Sequence, residues 1–471
     1  DTLASREELP RPAPALALAA RVSPVPDAPA ANHEAAELSA AAEPARTPAG
    51  ARTPAGPMRL PPAPQGWDQG VTRVGLEAGE WPHRPLLCVA DDPMSWYQLR
   101  SLGAAAVSDP RLPVTVLVNP GPRSTLQRSW VNQVPCDAAL AEVHLGVGPG
   151  PVGQTDAAVA TRFAELAASC APAAVLLAGA SYAVLQCGLI ARELGLPVVR
   201  LDAGAGRGDV ESGRGTLCAL LDRASHLLVA TGEDRKRELL AEGFAADALV
   251  AAGNCTARML HELQPHLPAF SALMARLSPP RTWLTRAAVG FGLVSAQFDA
   301  GDVCPGDALQ WLMLARSGSA ELPLLWPVSD RSAAVMREPS VHVHLESAGI
   351  AVVREHDYLN LLSLLGRARC VVAGPARSLV DEATALGIPA IVVQLVADEP
   401  AIPEDSLVTR VGPNAPQFKA AVRSALQRVA TEPAGTADLP DAHQEIVAHL
   451  AQWLAHQPVP AAPSALVEAA A

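Results

Sequence analysis

The chain has 471 residues, a formal net charge of −12, and 49% hydrophobic against 18% charged residues. That length and apolar content suffice for two or three domains with sizeable cores. The acidic balance argues against nucleic acid as a partner, because phosphate binding shows as a basic surface.

No apolar run reaches the roughly 18 to 20 residues needed to cross a bilayer, so no membrane association is expected. The first residues show no charged segment followed by an apolar one, which gives secretion no support. The eight cysteines are scattered without a CxxC pair. Most, such as Cys88, Cys187 and Cys370, lie in apolar runs and read as small buried hydrophobes of a reducing compartment, hence the cytoplasm. Lys236 and Lys419 are the only lysines, so nearly every positive charge is an arginine; with so much Ala and Pro, this reads first as the bias of a GC-rich genome.

Residues 1–80 are dominated by Ala and Pro and carry a tandem repeat from Arg46 to Gly56. Such a segment buries too little apolar surface to offset its ordering entropy, and a disordered tail is expected. Beginning on Asp1, the chain reads as a fragment, with Met58 as a candidate start of a shorter product.

From Pro85 the pattern changes to short apolar runs separated by helical periodicity, the signature of βαβ units on a mainly parallel sheet. Strands are expected at Leu86–Ala90, Val114–Asn119, Glu142–Leu145, Ala174–Ala178, Val198–Leu201, Leu227–Ala230 and Leu249–Ala252. Helices are expected between them at Ser95–Ala106, Asp156–Ser169, Ala183–Leu194, Thr216–Ala224 and Glu233–Glu242. These make one doubly wound domain, residues 81–263.

A Pro-rich stretch, 264–282, reads as a linker. A second series follows, with strands at Gly290–Ser295, Leu322–Pro327, Ile350–Val353, Cys370–Ala373 and Ala390–Val393. Helices are expected at Asp307–Ala315, Tyr358–Gly366, Ser378–Leu386 and Ala415–Thr431. This gives a C-terminal Rossmann-like domain at 283–430, and a helix at Asp441–Ala455 within a final segment, 431–471. The expected class is α/β, with two Rossmann-like domains facing a central cleft, the architecture called GT-B, behind a disordered Ala/Pro-rich extension.

In an open α/β sheet, ligands sit at the loops following strand C-termini. Asp202 and Asp209 lie in the glycine-rich loop after the strand at Val198. Asp202-Ala-Gly and Gly208-Asp209, followed by Thr231, Leu239-Leu240, Glu242-Gly243 and Gly253-Asn254, resemble the UDP-N-acetylglucosamine 2-epimerase family, which carries Glu-Ala-Gly-Leu-Arg-Thr-Gly-Asp at that loop. The segment from Cys370 to Pro389 is similar to the family's strand, loop and helix with an acidic pair, here Asp381-Glu382, and Leu-Gly-x-Pro. The resemblance runs from about Arg84 to Leu426.

The resemblance implies a UDP-sugar in the cleft. Asp202 and Glu211 are the expected catalytic carboxylates, with Arg214 completing a Glu-x-x-Arg element near the sugar. Glu382 is expected to accept hydrogen bonds from ribose hydroxyls, and Arg377 and Ser378 to hold the diphosphate, because a helix start favours anions. Ser378 has a second reading as an ordinary N-cap, with Asp381 completing a capping-box-like turn. Gln297 stands where the family has a histidine. The resemblance also implies a homodimer.

Other family positions differ. Ala90-Asp91-Asp92-Pro93-Met94 replaces Gly-Thr-Arg-Pro-Glu, exchanging an anion-binding arginine for an acid. Gly179-Ala180-Ser181 replaces Gly-Asp-Thr, and Pro327-Val328-Ser329 replaces Pro-Val-His. Ala397-Asp398-Glu399-Pro400-Ala401 replaces Thr-Glu-Arg-Pro-Glu. An acid or base contributes about 10² to 10⁴ in rate, so epimerase turnover is expected to be weak or lost. Two alternatives stand beside an epimerase of polysaccharide or secondary-metabolite biosynthesis: a non-catalytic UDP-sugar-binding or scaffold protein, and a GT-B glycosyltransferase.

His342 and His344 alternate on Val341–Leu345 and read as one solvent face of a short strand rather than a metal site; His226 reads as capping a helix-to-strand turn. Gly204, Gly206 and Gly208 lack the later glycine of a dinucleotide fingerprint. No metal or redox cofactor is implied.

Overall fold

The computed structural model describes residues 72–74, 84–121, 140–147, 152–204, 213–296, 314–328, 349–355, 357–374, 379–393, 407–427 and 442–457. Among them, most strands are four- or five-residue runs dominated by apolar residues and buried on both faces, as parallel strands covered by helices must be. The first series comprises β1 (Thr72–Val74), β2 (Leu86–Val89), β3 (Thr115–Asn119), β4 (Ala141–His144), β5 (Ala174–Leu177), β6 (Val198–Ala203), β7 (Leu227–Thr231) and β8 (Leu249–Ala252). They form one sheet in the order β1-β4-β3-β2-β5-β6-β7-β8, parallel except for β1, which runs antiparallel to β4.

The order reverses between β2 and β5. The chain winds outward from β2 to β4, returns to β5, and winds the other way to β8. Loops leaving β2 and β5 therefore diverge and open a crevice, the usual ligand position in such sheets.

The second sheet has β9 (Gly292–Ser295), β10 (Leu324–Val328), β11 (Ile350–Arg354), β12 (Cys370–Ala373), β13 (Ala390–Val393) and β14 (Val408–Val411), all parallel, in the order β11-β10-β9-β12-β13-β14. Its reversal lies between β9 and β12.

The described helices include α1 (Pro93–Val107), α2 (Val152–Cys170), α3 (Tyr182–Glu193), α4 (Gly213–Ala224), α5 (Gly232–Ala241), α6 (Cys255–Leu263), α7 (Phe270–Leu277), α8 (Arg281–Ala287), α9 (Tyr358–Leu365), α10 (Val380–Ala385), α11 (Ala415–Gln427) and α12 (Ala442–Leu454). Phe163 of α2 and Val184 of α3 pack on the outer face of the first sheet, and Phe418 and Val422 of α11 on that of the second. One core joins the two inner faces: Trp96 and Leu99 of α1, Met259 of α6, Leu362 of α9 and Leu450 of α12 pack with Leu176 and Leu201 from the first sheet and Leu293 and Val371 from the second.

Three departures from the sequence reading have physical causes. Thr72–Val74, inside the segment expected to be tail, forms edge strand β1; three residues carry no readable alternation, and only the exposed edge of β4 selects them. The expected linker contains α7 and the start of α8, because Leu273 and Trp283 bury themselves in the shared core and Trp283 Nε1 donates to the Leu324 carbonyl at 2.8 Å. The last helix, α12, packs back on α1, α6 and β8 of the first sheet, where Glu445 accepts from the Gly253 amide at 3.1 Å. The expected helix at Asp307–Ala315 lies largely outside the described residues, as do His342 and His344.

The six described cysteines, Cys88, Cys170, Cys187, Cys218, Cys255 and Cys370, are free and buried, as their apolar surroundings suggest. No described helix is long and apolar enough to cross a membrane. Helix α9 starts where Asp357 accepts from the Leu359 and Asn360 amides at 3.0 and 3.2 Å. Asp357→Ala is expected to cost about 1 kcal/mol, seen as a lower urea midpoint at unchanged slope.

Candidate functional site

The residues that carry chemistry gather where the C-terminal ends of β2, β5, β6 and β7 approach the helices of the second sheet. Asp92 ends the β2 turn as N-cap of α1, its Oδ1 accepting from the Ser95 amide at 3.0 Å, with Pro93 in the first helical turn. This is the local cause of the Asp-Asp-Pro sequence: a capping acid followed by a residue with no amide to satisfy. Ser181 caps α3 through the Val184 amide at 3.1 Å, and its hydroxyl donates to Asp91 Oδ2 at 2.5 Å, so the β2 and β5 turns are tied across the sheet's reversal.

Asp202 closes β6 with φ 54°, a left-handed conformation uncommon outside glycine, and the β6–β7 register shifts between Leu201 and Ala203. The kink turns the half-buried carboxyl out of the pleat, where it accepts from Thr231 Oγ1 at 3.1 Å. Burial and the nearby Asp381 raise its pKa; Arg200, Thr231 and Gln98 oppose the rise. Gln98 is 1% exposed, and its Nε2 also donates to Thr256 Oγ1 at 3.0 Å.

On the opposite side, helix α10 carries Asp381 exposed and Glu382 buried. Tyr358 Oη donates to Glu382 Oε1 at 2.9 Å, and the Tyr358 ring stacks on Tyr97 of α1 with centroids 6.0 Å apart. Two of the chain's three tyrosines thus meet between the sheets. Burial, reinforced by Asp381 and Asp92, pushes Glu382 up to about 7, against the hydrogen bonds from its backbone and Tyr358. A carboxyl that exchanges its proton near neutrality at a strand-end crevice is suited to acid or base work or to hydrogen-bonding a polar ligand.

Of the residues expected at the site, Asp202 and Glu382 are brought into this region. Arg214 lies in the first turn of α4, and nothing more is described of its side chain. Glu211, Gln297, Arg377 and Ser378 lie outside the described residues; the chain leaves β9 at Ala296 and β12 at Gly374, which is where the second sheet reverses. Helix α10, which follows Arg377 and Ser378, begins at Val380 with Leu379 at its cap position, φ 65°. Asp202 and Leu379 are thus two non-glycine left-handed residues flanking the same region, a form of stored strain that clusters at functional sites.

His226 lies in the turn from α4 to β7, where its ring bonds strand β6. Its Nδ1 accepts from the Val198 amide at 3.0 Å and its own amide donates to the Val198 carbonyl, locking the start of β7 to β6. Gln98, Tyr97 and Tyr358 escape a reading of the sequence, where helical periodicity marks them only as core.

Among curated proteins none matches this chain. Solved structures do. The Neisseria meningitidis UDP-GlcNAc 2-epimerase bound to UDP-GlcNAc superposes with TM-score 0.58 at 14% identity, over 78% of this chain and 100% of that one. The Methanocaldococcus jannaschii UDP-GlcNAc 2-epimerase in complex with UDP-GlcNAc and UDP gives 0.56 at 15%, over 78% and 99%. The Rickettsia bellii UDP-N-acetylglucosamine 2-epimerase gives 0.58 at 15%, over 80% and 97%.

Two mainly parallel sheets, each with a reversal in its strand order, define a protein of the GT-B class. Within that class the chain belongs to the UDP-N-acetylglucosamine 2-epimerase family, whose model matches residues 125–450.

Proposed function

We propose that this protein binds a UDP-sugar between its two sheets, with epimerase turnover much reduced from that of its family. The observation that carries the reading is the approach of Asp381, on helix α10 of the second sheet, to Asp202 of the first, with the buried Glu382 next to Asp381 on the same helix, in a chain of this family. In this reading Glu382 accepts from the ribose hydroxyls, and Arg377 and Ser378 hold the diphosphate. Asp202, Glu211, Arg214 and Gln297 face the sugar.

Epimerisation at C2 requires a proton to leave one face and return to the other while UDP is eliminated and re-added, which calls for carboxylates and a histidine near C2. Asp202, with its raised proton affinity, supplies one such group. Ala180 and Gln297 supply none, and this favours the second reading, a UDP-sugar-binding protein without turnover. A GT-B transferase needs one base and an anion pocket and is the third. We further infer a homodimer, a cytoplasmic setting consistent with six free buried cysteines, and a place in polysaccharide synthesis.

The full chain titrated calorimetrically with UDP and with UDP-GlcNAc, then followed by proton NMR in deuterated water, separates the readings. Binding without deuterium entering at C2 is the expected result. Exchange at ordinary enzymatic rates would overturn the loss of turnover, and absence of binding would overturn the UDP-sugar reading altogether.

A further inference from the structure

Four neighbouring strands of the first sheet end on one connected set of bonds. Asp91, after β2, accepts from Ser181 in the turn after β5. In that same turn, the Gly179 carbonyl accepts from Arg200 Nη1 at 2.5 Å, with the Leu177 carbonyl 3.4 Å from the same nitrogen. Arg200 sits on β6, its Nε 3.6 Å from Asp222 Oδ1 of α4. The other oxygen of Asp222 accepts from the Gly204 amide at 3.0 Å, two residues beyond Asp202, which is itself bonded to Thr231 at the end of β7.

Both members of the ion pair are buried, Arg200 at 3% and Asp222 at 1% exposure. A buried pair of this kind is a poor source of net stability, because desolvation offsets most of the attraction and an apolar pair of similar size is often neutral or better. What distinguishes this pair is where its remaining bonds go. Each partner grips the main chain of one glycine turn, Gly179 at φ 80° and Gly204 at φ 77°, and Asp202 stands between them at φ 54°. An apolar pair would fill the same space and hold neither turn.

We propose that Arg200 and Asp222 are a positioning pair, which aims the Asp202 carboxyl and sets it in register with the Gly179–Ser181 turn. Neither residue touches ligand. For the sugar side of the cleft, the proposal rests on the UDP-sugar reading above; for the geometry of the two turns it does not.

The test compares the wild-type full chain with Arg200→Met/Asp222→Leu, which removes both charges of the pair together and, with Arg200, the nearby positive charge that favours the Asp202 carboxylate, by hydrogen exchange and calorimetry. The expected result is a thermal melting curve like wild type, with amides of the two turns, 178–182 and 200–204, exchanging at least about tenfold faster while the rest of the chain is unchanged. Turns that exchange as in wild type would overturn the proposal, since a merely structural pair is replaced by apolar packing without local opening. Should the double variant fail to fold, Arg200→Lys keeps the charge but loses the guanidinium fork, and the same local exchange decides. In calorimetry the variant is expected to keep wild-type affinity for UDP while binding UDP-GlcNAc about ten- to a hundredfold more weakly. If wild type binds neither ligand, the UDP-sugar reading fails, and the exchange of the two turns still confirms or overturns the positioning pair.

Discussion

Glu382→Gln is expected to stabilise the protein by less than about 1 kcal/mol at pH 5 and by about 3 kcal/mol at pH 8. Burial raises this carboxyl from its ordinary 4.5 to about 7, so the folded chain holds a proton that the unfolded chain has already released between those two values. The native state binds more protons across that window, so wild-type stability falls as pH rises from about 4.5 to 7 and levels off above. Glutamine has the same shape, carries no charge to desolvate, and presents an oxygen to which Tyr358 Oη still donates. Its advantage should therefore grow with pH and then become constant. Urea unfolding at pH 5, 6.5 and 8 reads the effect directly. A difference between the two proteins that does not change with pH would show that Glu382 titrates like a solvent-exposed carboxylate. On the proposed reading, the same substitution also weakens UDP binding, because a carboxylate that accepts from ribose hydroxyls is exchanged for an amide.

Gly179→Ala is expected to destabilise by about 3 kcal/mol, and the cost should couple to Asp92. A side chain at φ 80° costs about 1 to 2 kcal/mol. The new Cβ would also stand 2.3 Å from Asp92 Oδ2 and 2.9 Å from Ser95 Oγ, so the capping carboxylate must move. Losing that cap from α1 adds about 1 kcal/mol. In an Asp92→Ala background the closer clash disappears with the carboxylate, and Gly179→Ala should then cost the backbone term and the smaller adjustment of the Ser95 hydroxyl. A double-mutant cycle by urea unfolding tests this: additive costs would mean that the β5 turn relaxes without disturbing α1.

The two expectations concern residues of very different legibility. Glu382 could be singled out from Asp381-Glu382 ahead of Leu-Gly-x-Pro, and Asp202 from a glycine-rich loop behind an apolar strand. Both are local patterns, and the chain's membership of its family follows from their order and spacing. Their proton affinities could not be read, because these depend on burial and on neighbours such as Asp381, 179 positions beyond Asp202, delivered by another sheet. Gly179 appeared only as part of a turn in which Ala180 replaces a carboxylate. That it has no room for a methyl is a fact about Asp92, which a different strand places there.

Strands such as Leu86–Val89 and Cys370–Ala373 were legible because a parallel strand buried on both faces is a continuous apolar run, bounded by residues that break or cap helices. The capping acids Asp92 and Asp357 also act locally, each satisfying amides within three residues, although the sequence reading did not single them out as caps. Tertiary structure alone decided the rest. It recruited Thr72–Val74 to an open sheet edge, made helices of the Pro-rich stretch around Trp283, and returned α12 to the first sheet. It also paired Gln98 with Thr256 across 158 positions, stacked Tyr97 on Tyr358, and set Arg200 against Asp222. Propensity and periodicity act within a turn or two of the chain, whereas these contacts exist only once the helices of two sheets have closed around a shared core.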